Sequence, residues 1–309
     1  METPIKRSLT LLAALTLSAS PFAAAYAQDI TGGATLGYGF SDISDINLDV
    51  DSLTFDGRIK VDVGNGISFG ASLNAARVDI DGAPDTIGAS VIGADVAYAF
   101  GNGFSFGVYA EQGKITTDML PIDVTMTSYG LKGAYAFAKG EVSGFVGASD
   151  TSPSLPSGVD VRDFGIAGKY APMDNLTLAG AFTRTTVSMP GDDMDLDFLG
   201  VAAAYDMTPS WTLFAGYANA SVEDLDLDTY GIGVSYDTSA LIKVNSFASL
   251  ELARTDLSLG GGSADMDTVR LGVTFPIGGM GSKVPMNSVA DSIMNPSHSA
   301  LSQTVLAAF

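Results

Sequence analysis

Cysteine is missing from this 309-residue chain, and histidine occurs once, as His298. The first absence excludes disulfides, thiol catalysis and thiolate metal sites. It also suits passage through an oxidising compartment, where a stray thiol would mispair. The second leaves a Ser-His-Asp triad or a histidine metal cage with nothing to be built from. Bases are scarce as well: 15 Lys and Arg stand against 35 Asp and Glu, a formal net charge of −20. That balance argues against nucleic acid as a partner, because phosphate binding needs clustered bases. No glycine-rich loop of phosphate-binding type precedes a helix. The Gly260-Gly261-Gly262-Ser263-Ala264-Asp265 run echoes a calcium-binding repeat but occurs once, and such folds need several copies. The Asp192-Asp193 pair reads as a solvated loop rather than an acid–base couple. Catalytic residues, metal ligands and cofactors are therefore all expected to be none.

Long apolar runs are confined to the start. Lys6 and Arg7 precede an apolar stretch over 9–17 and the small-x-small site Ala25-Tyr26-Ala27, which together read as a signal peptide over 1–27. The stretch falls short of the roughly 20 residues that span a bilayer. Mean hydropathy is nevertheless positive, at +0.27, with only 16% of residues charged. The apolar residues alternate with small or polar ones, so they cover one face of extended segments instead of forming helices.

What is present is a beat. Acidic segments at 41–51, 79–86, 116–123, 150–160, 190–197, 223–228 and 256–267 hold 22 of the 35 acids and no Lys or Arg. Between them lie short turns: Gly64-Asn65-Gly66, Gly101-Asn102-Gly103, Ala138-Lys139-Gly140-Glu141, Pro172-Met173-Asp174-Asn175 and Thr208-Pro209-Ser210, with a blunter one near 238–243. Long acidic loop, strand, short turn and strand, repeated, is the signature of a transmembrane antiparallel up-and-down β-barrel of a Gram-negative outer membrane. About 14 strands are expected within 28–277, the tenth at 196–207, the twelfth at 229–237 and the last at 268–277. An even count puts both barrel ends on the periplasmic side. A dozen residues at about 3.3 Å each, tilted near 40°, cross roughly 30 Å of hydrocarbon. The tail, 278–309, is expected either as a periplasmic appendage or as a plug in the lumen, with a short helix from Asn295-Pro296 through Leu306.

Parity assigns the faces. Ile92, Ala94, Val96 and Tyr98 share one side of the fourth strand, and an unpaired charge there would cost kilocalories in lipid. Aromatic residues such as Tyr98, Phe104, Tyr135, Trp211 and Phe275 cluster beside short turns, as a membrane interface selects. The opposite parity gives the expected pore lining: Asp56, Arg58, Lys60, Asp62, Asp95, Glu111, Lys132, Asp163, Lys169, Glu251 and Arg270. Small residues around these charges argue for open space, since a filled interior needs bulk. An extracellular acidic mouth is expected from Asp192, Asp193, Asp195, Asp197, Glu223, Asp224, Asp226 and Asp228.

The signal, the hairpin beat, the turn-side aromatics and the closing Val-Arg-Leu-Gly-Val-Thr-Phe run at 269–275 resemble the Gram-negative general porins, especially small acidic alphaproteobacterial ones. The resemblance implies a water-filled channel for passive diffusion of ions and small hydrophilic solutes. General porins have sixteen strands and a long inward third loop, whereas 116–123 is short, so their constriction residues and trimeric assembly do not carry over. A weak cation preference follows from the acidic mouth. Expected partners are outer-membrane lipid and lipopolysaccharide, with divalent cations as the candidate bridge, the barrel-assembly machinery and periplasmic chaperones, and small hydrophilic solutes. The alternative is a non-conducting barrel acting as adhesin or structural surface protein. A carrier of apolar substrates would need an N-terminal plug, and strand residues begin directly after the signal.

Overall fold

A computed structural model describes residues 29–44, 48–81, 86–117, 123–278 and 283–308. The signal expected over 1–27 lies outside them. Fourteen strands form one closed antiparallel barrel. They are β1 (Asp29–Ile43), β2 (Leu48–Gly64), β3 (Ile67–Ile80), β4 (Thr86–Ala99) and β5 (Phe104–Thr117). Next come β6 (Val124–Phe137), β7 (Gly140–Ser152), β8 (Asp160–Met173), β9 (Leu176–Met189) and β10 (Asp192–Thr208). The set ends with β11 (Trp211–Val222), β12 (Leu225–Asp237), β13 (Phe247–Leu259) and β14 (Gly262–Ile277). Each strand pairs with its sequence neighbours, and β1 closes the ring on β14 from Gly32↔Ile277 to Ile43↔Met266. Closure leaves no edge with unpaired backbone groups, which hydrocarbon would not tolerate.

The short turns gather at one end. Asn65 sits at φ 55° between Gly64 and Gly66, both at φ 82°, so the β2–β3 connection needs no further residues. A blunter turn follows β12, where the helix α1 (Ser239–Ile242) ends in a left-handed Lys243. Beside these turns the outward aromatics touch one another, as in Phe104 with Tyr135 at 4.5 Å and Trp211 with Tyr236 at 4.6 Å between ring centres. Outward residues in mid-strand are apolar and exposed, among them Ile92, Val108, Leu199 and Ile232. Their exposure in isolation is the mark of a surface made for lipid.

The opposite end differs from the expectation of seven long loops. Strand β10 begins at Asp192, β12 at Leu225 and β14 at Gly262, so three of the acidic segments are largely strand. Pro190-Gly191, Glu223-Asp224 and Gly260-Gly261 alone make those turns. The reason lies in the period: Asp-Met-Asp-Leu-Asp and Asp-Leu-Asp-Leu-Asp alternate every second residue, as strands do. Alternation, not acidity, separates strand from loop at this end.

Candidate channel lumen

All eleven residues expected to line the pore carry the inward parity of their strands, opposite to the exposed apolar residues. They do not share one environment, because the tail also lies inside. Of the two placements left open by the sequence, residues 283–308 take the one within the barrel, not the periplasmic one. The tail contains two helices, α2 (Val289–Met294) and α3 (Ala300–Ala308), in place of the single one expected from Asn295. Ser288 caps α2 by accepting a hydrogen bond from the Asp291 amide at 3.1 Å.

Both helices pack on the inner face of β9–β11. Val289, Ala290 and Ile293 are buried to 1% exposure or less, against Phe198, Ala202, Phe214 and Ala218. Wall glycines give the tail its room. A Cβ on Gly216 would stand 2.8 Å from the Ala290 nitrogen, and one on Gly200 would stand 2.6 Å from Ile293 Cγ1. Small wall residues therefore mark close approach by a helix on this side, not empty space.

Five of the eleven expected residues hold this tail. Arg58 pairs with Asp291. Glu111 accepts from Ser297 Oγ at 2.6 Å and from the His298 backbone amide at 3.1 Å. Lys169 donates to Asn295 Oδ1 at 2.7 Å. Glu251 accepts from the Val289 amide at 3.1 Å and pairs with Arg270, also at 3.1 Å. Arg270 in turn donates to the carbonyls of Ala307 and Ala308 at 3.2 and 2.8 Å, the open C-terminal end of α3. Side chains of the wall thus satisfy backbone groups of the tail, as burial demands. The remaining six belong to the wall. Asp95 and Lys132 pair at 2.7 Å. Asp56 accepts from Asn74 at 3.0 Å, and Asp163 from Thr185 at 2.6 Å. Asp62 accepts from the Gly64 amide at the turn. Lys60 has no ion pair among the described residues.

A cavity of about 610 Å³ lies beside the tail. Strands β2–β8 supply one wall, with Lys60, Asp95, Lys132 and Glu141, and the tail supplies another through Asp291, Asn295 and His298. Sequence reasoning missed His298 as a structural part. Its ring stacks on Tyr109 at 3.9 Å between centres, meets Phe145 edge-on at 5.1 Å, and lies 3.1 Å from Glu111 Oε2. Tyr109, Phe145, Phe198 and Phe214 share a signal that could have shown a filled lumen: each is a large aromatic on the inward parity of its strand.

The acidic mouth needs a correction. Asp193, Asp195 and Asp197 share the parity of exposed Leu199 and Val201, and Asp226 and Asp228 that of Tyr230 and Ile232, so all five face outward. Their partners are on the outer wall: Arg184 donates to Asp197 at 2.6 Å, and Tyr217 donates to Asp228 at 2.6 Å. Asp192 keeps the inward parity, and Glu223 and Asp224 occupy a turn at the rim. An outward apolar face forces the choice only at membrane depth; beyond it, solvation favours acids outside.

Residues 65–225, just over half of the chain, match the family of Gram-negative porins. The chain belongs to that family. Its closed barrel and lipid-facing surface are those of the outer-membrane β-barrel channels of that family. No curated protein matches it in sequence. Solved structures share the fold at low identity. The toluene transporter TodX of Pseudomonas putida aligns at a TM-score of 0.51 and 10% identity, over 82% of this chain and 90% of that one. A FadL homologue of Pseudomonas aeruginosa gives 0.50 and 13%, over 80% and 90%. An anion-selective porin from Comamonas acidovorans gives 0.51 and 11%, over 80% and 99%.

Proposed function

We propose that this porin is a passive diffusion channel for ions and small hydrophilic solutes, exported by the signal at 1–27 and narrowed by its own C-terminal tail. The cavity along β2–β8 carries the reading: a polar, mixed-charge space of about 610 Å³ beside a wall of small residues. Mixed charges across a narrow space orient polar solutes without trapping them, which diffusion needs. A weak cation preference accompanies it, drawn from a chain of net charge −20 whose acids crowd the outer end. Because most of those acids face outward, their field reaches the mouth only within a Debye length of about 8 Å at physiological salt. The same outward acids bring lipopolysaccharide and its divalent counter-ions as neighbours.

The second reading is a non-conducting surface protein. The favouring observation is the tail, whose buried contacts fill the β9–β11 side of the lumen. Single-channel recording of refolded protein separates the two. A diffusion channel gives steps with a slight cation preference that fades as salt rises. No conductance from folded protein, with and without the tail, would replace it by the surface-protein reading.

A further inference from the structure

The lumen is shut above the cavity. All fourteen strands carry a buried inward residue in the middle or outer part of their length, from Thr35 on β1 and Ser128 on β6 to Thr229 on β12. A continuous water path along the axis would leave part of that band exposed. The cavity stops short of it. Its wall residues lie between mid-strand and the short turns, as Lys60, Ala97, Ser105 and Lys169 do, and Ser297, His298 and Leu306 of the tail bound it as well. It is therefore reached from the short-turn end and is blind toward the acidic end.

Helix α3 is tied to the wall at three places. Its first amide, that of Ala300, donates to Thr185 Oγ1 on β9 at 2.9 Å. Ser302 Oγ stands 3.0 Å from the place a Cβ on Gly113 of β5 would take. Arg270 of β14 donates to its last carbonyls. Round the ring these strands are four, five and five places apart, so α3 reaches every side of the lumen. Its hold differs from that of α2. Every residue of α2 is buried, whereas Leu301, Thr304, Val305 and Leu306 of α3 are half-buried. The non-helical residues 295–299 between the helices are fixed to the wall by Lys169 and Glu111. From that anchor α3 can swing while α2 stays on β9–β11. The wall itself cannot open, because each of its strands is hydrogen-bonded on both sides. We infer that α3 is the gate of this channel: seated, it shuts the lumen, and solutes cross when it swings off Thr185, Gly113 and Arg270. The inference rests on the diffusion-channel reading and adds its regulation.

The test ties the helix down. The chain has no cysteine, so an introduced pair is the only one that can form a disulfide. Gly113→Cys with Ser302→Cys brings a sulfur at the Ser302 Oγ position within bridging reach of residue 113. Conductance in planar bilayers is compared between oxidised and reduced protein of one refolded preparation. Oxidation should lower mean conductance about tenfold or more, and dithiothreitol should restore it, since a bridged helix cannot swing. Equal conductance in both states, with the bridge confirmed by mass spectrometry, overturns the gate. Silence in both states, when a chain stopped after Gly278 conducts, overturns it too, because α3 is then a fixed plug. Where this pair does not give a heat-modifiable barrel, Thr185→Cys with Ala300→Cys ties the same helix to β9 and carries the same expectation. The diffusion reading fails in a different way. In that case wild type, reduced variant and tail-less chain are all silent, and the gate falls with it.

Discussion

The inner faces of β9–β11 and of β2–β7 obey one alternation and one pleat, yet they present opposite surfaces. The first is Ala181, Phe198, Gly200, Ala202, Phe214, Gly216 and Ala218, and it is covered by α2 and α3. The second is Arg58, Lys60, Asp95, Lys132 and Glu141 among small residues, and it bounds the cavity. Inward parity therefore says only that a residue avoids lipid. Whether the position is apolar or charged depends on whether helix or water stands in front of it. In this barrel the tail supplies the difference, and the lumen is half core and half channel.

Removing the tail breaks the comparison most completely. A chain stopped after Gly278 should still insert and show heat modifiability, with the aromatic Phe275 ending the last strand. Its conductance should rise severalfold in bilayer recordings, as the lumen widens toward the open interior expected of barrels larger than eight strands. Complete loss of insertion would show instead that the chain's final residues carry the assembly signal.

The ion pairs on the two sides should differ next. Arg270 and Glu251 are 4% and 2% exposed, so Glu251→Ala leaves a buried cation unpaired and should cost about 3–5 kcal/mol in urea unfolding. Asp95→Ala breaks a pair whose members are about a quarter exposed, and should cost no more than about 1 kcal/mol. Equal costs would mean that water reaches both sides alike.

Volume gives a sharper contrast at smaller scale. Gly216→Val drives a side chain into α2 and should lower stability by about 1–3 kcal/mol, with faster proteolysis of the tail. Ala97→Val, on the cavity side, should stay within about 0.5 kcal/mol because nothing opposes it. The smallest effect belongs to the outward acids. Asn at Asp193, Asp195, Asp197, Asp226 and Asp228 should reduce the cation preference slightly at low salt and leave it unchanged at high salt. A large loss would place those carboxylates at the mouth after all.

Much of the barrel was legible in the residues. Gly64-Asn65-Gly66 and Gly101-Asn102-Gly103 announce turns by themselves, and Ile92 to Tyr98 announce a lipid face. Asp192 to Asp197 were harder, because an acid reads as solvated whether it lies in a loop or on the outer face of a protruding strand. The lining residues were found by parity, but their duties were not. Glu111 looks like Asp95 in sequence, yet one holds a tail amide and the other a lysine across the wall.

What the sequence determined by itself is the local order: fourteen strands, their parity, their turns and the family they belong to. Those follow from a period of two and from turn residues, which act over a few positions. Only the tertiary structure decided that the tail lies inside and that it takes the β9–β11 wall. Arg58 meets Asp291 across 233 positions, and Glu111 meets His298 across 187. Contacts at such separation depend on the closed barrel that brings them together, and no local pattern records them.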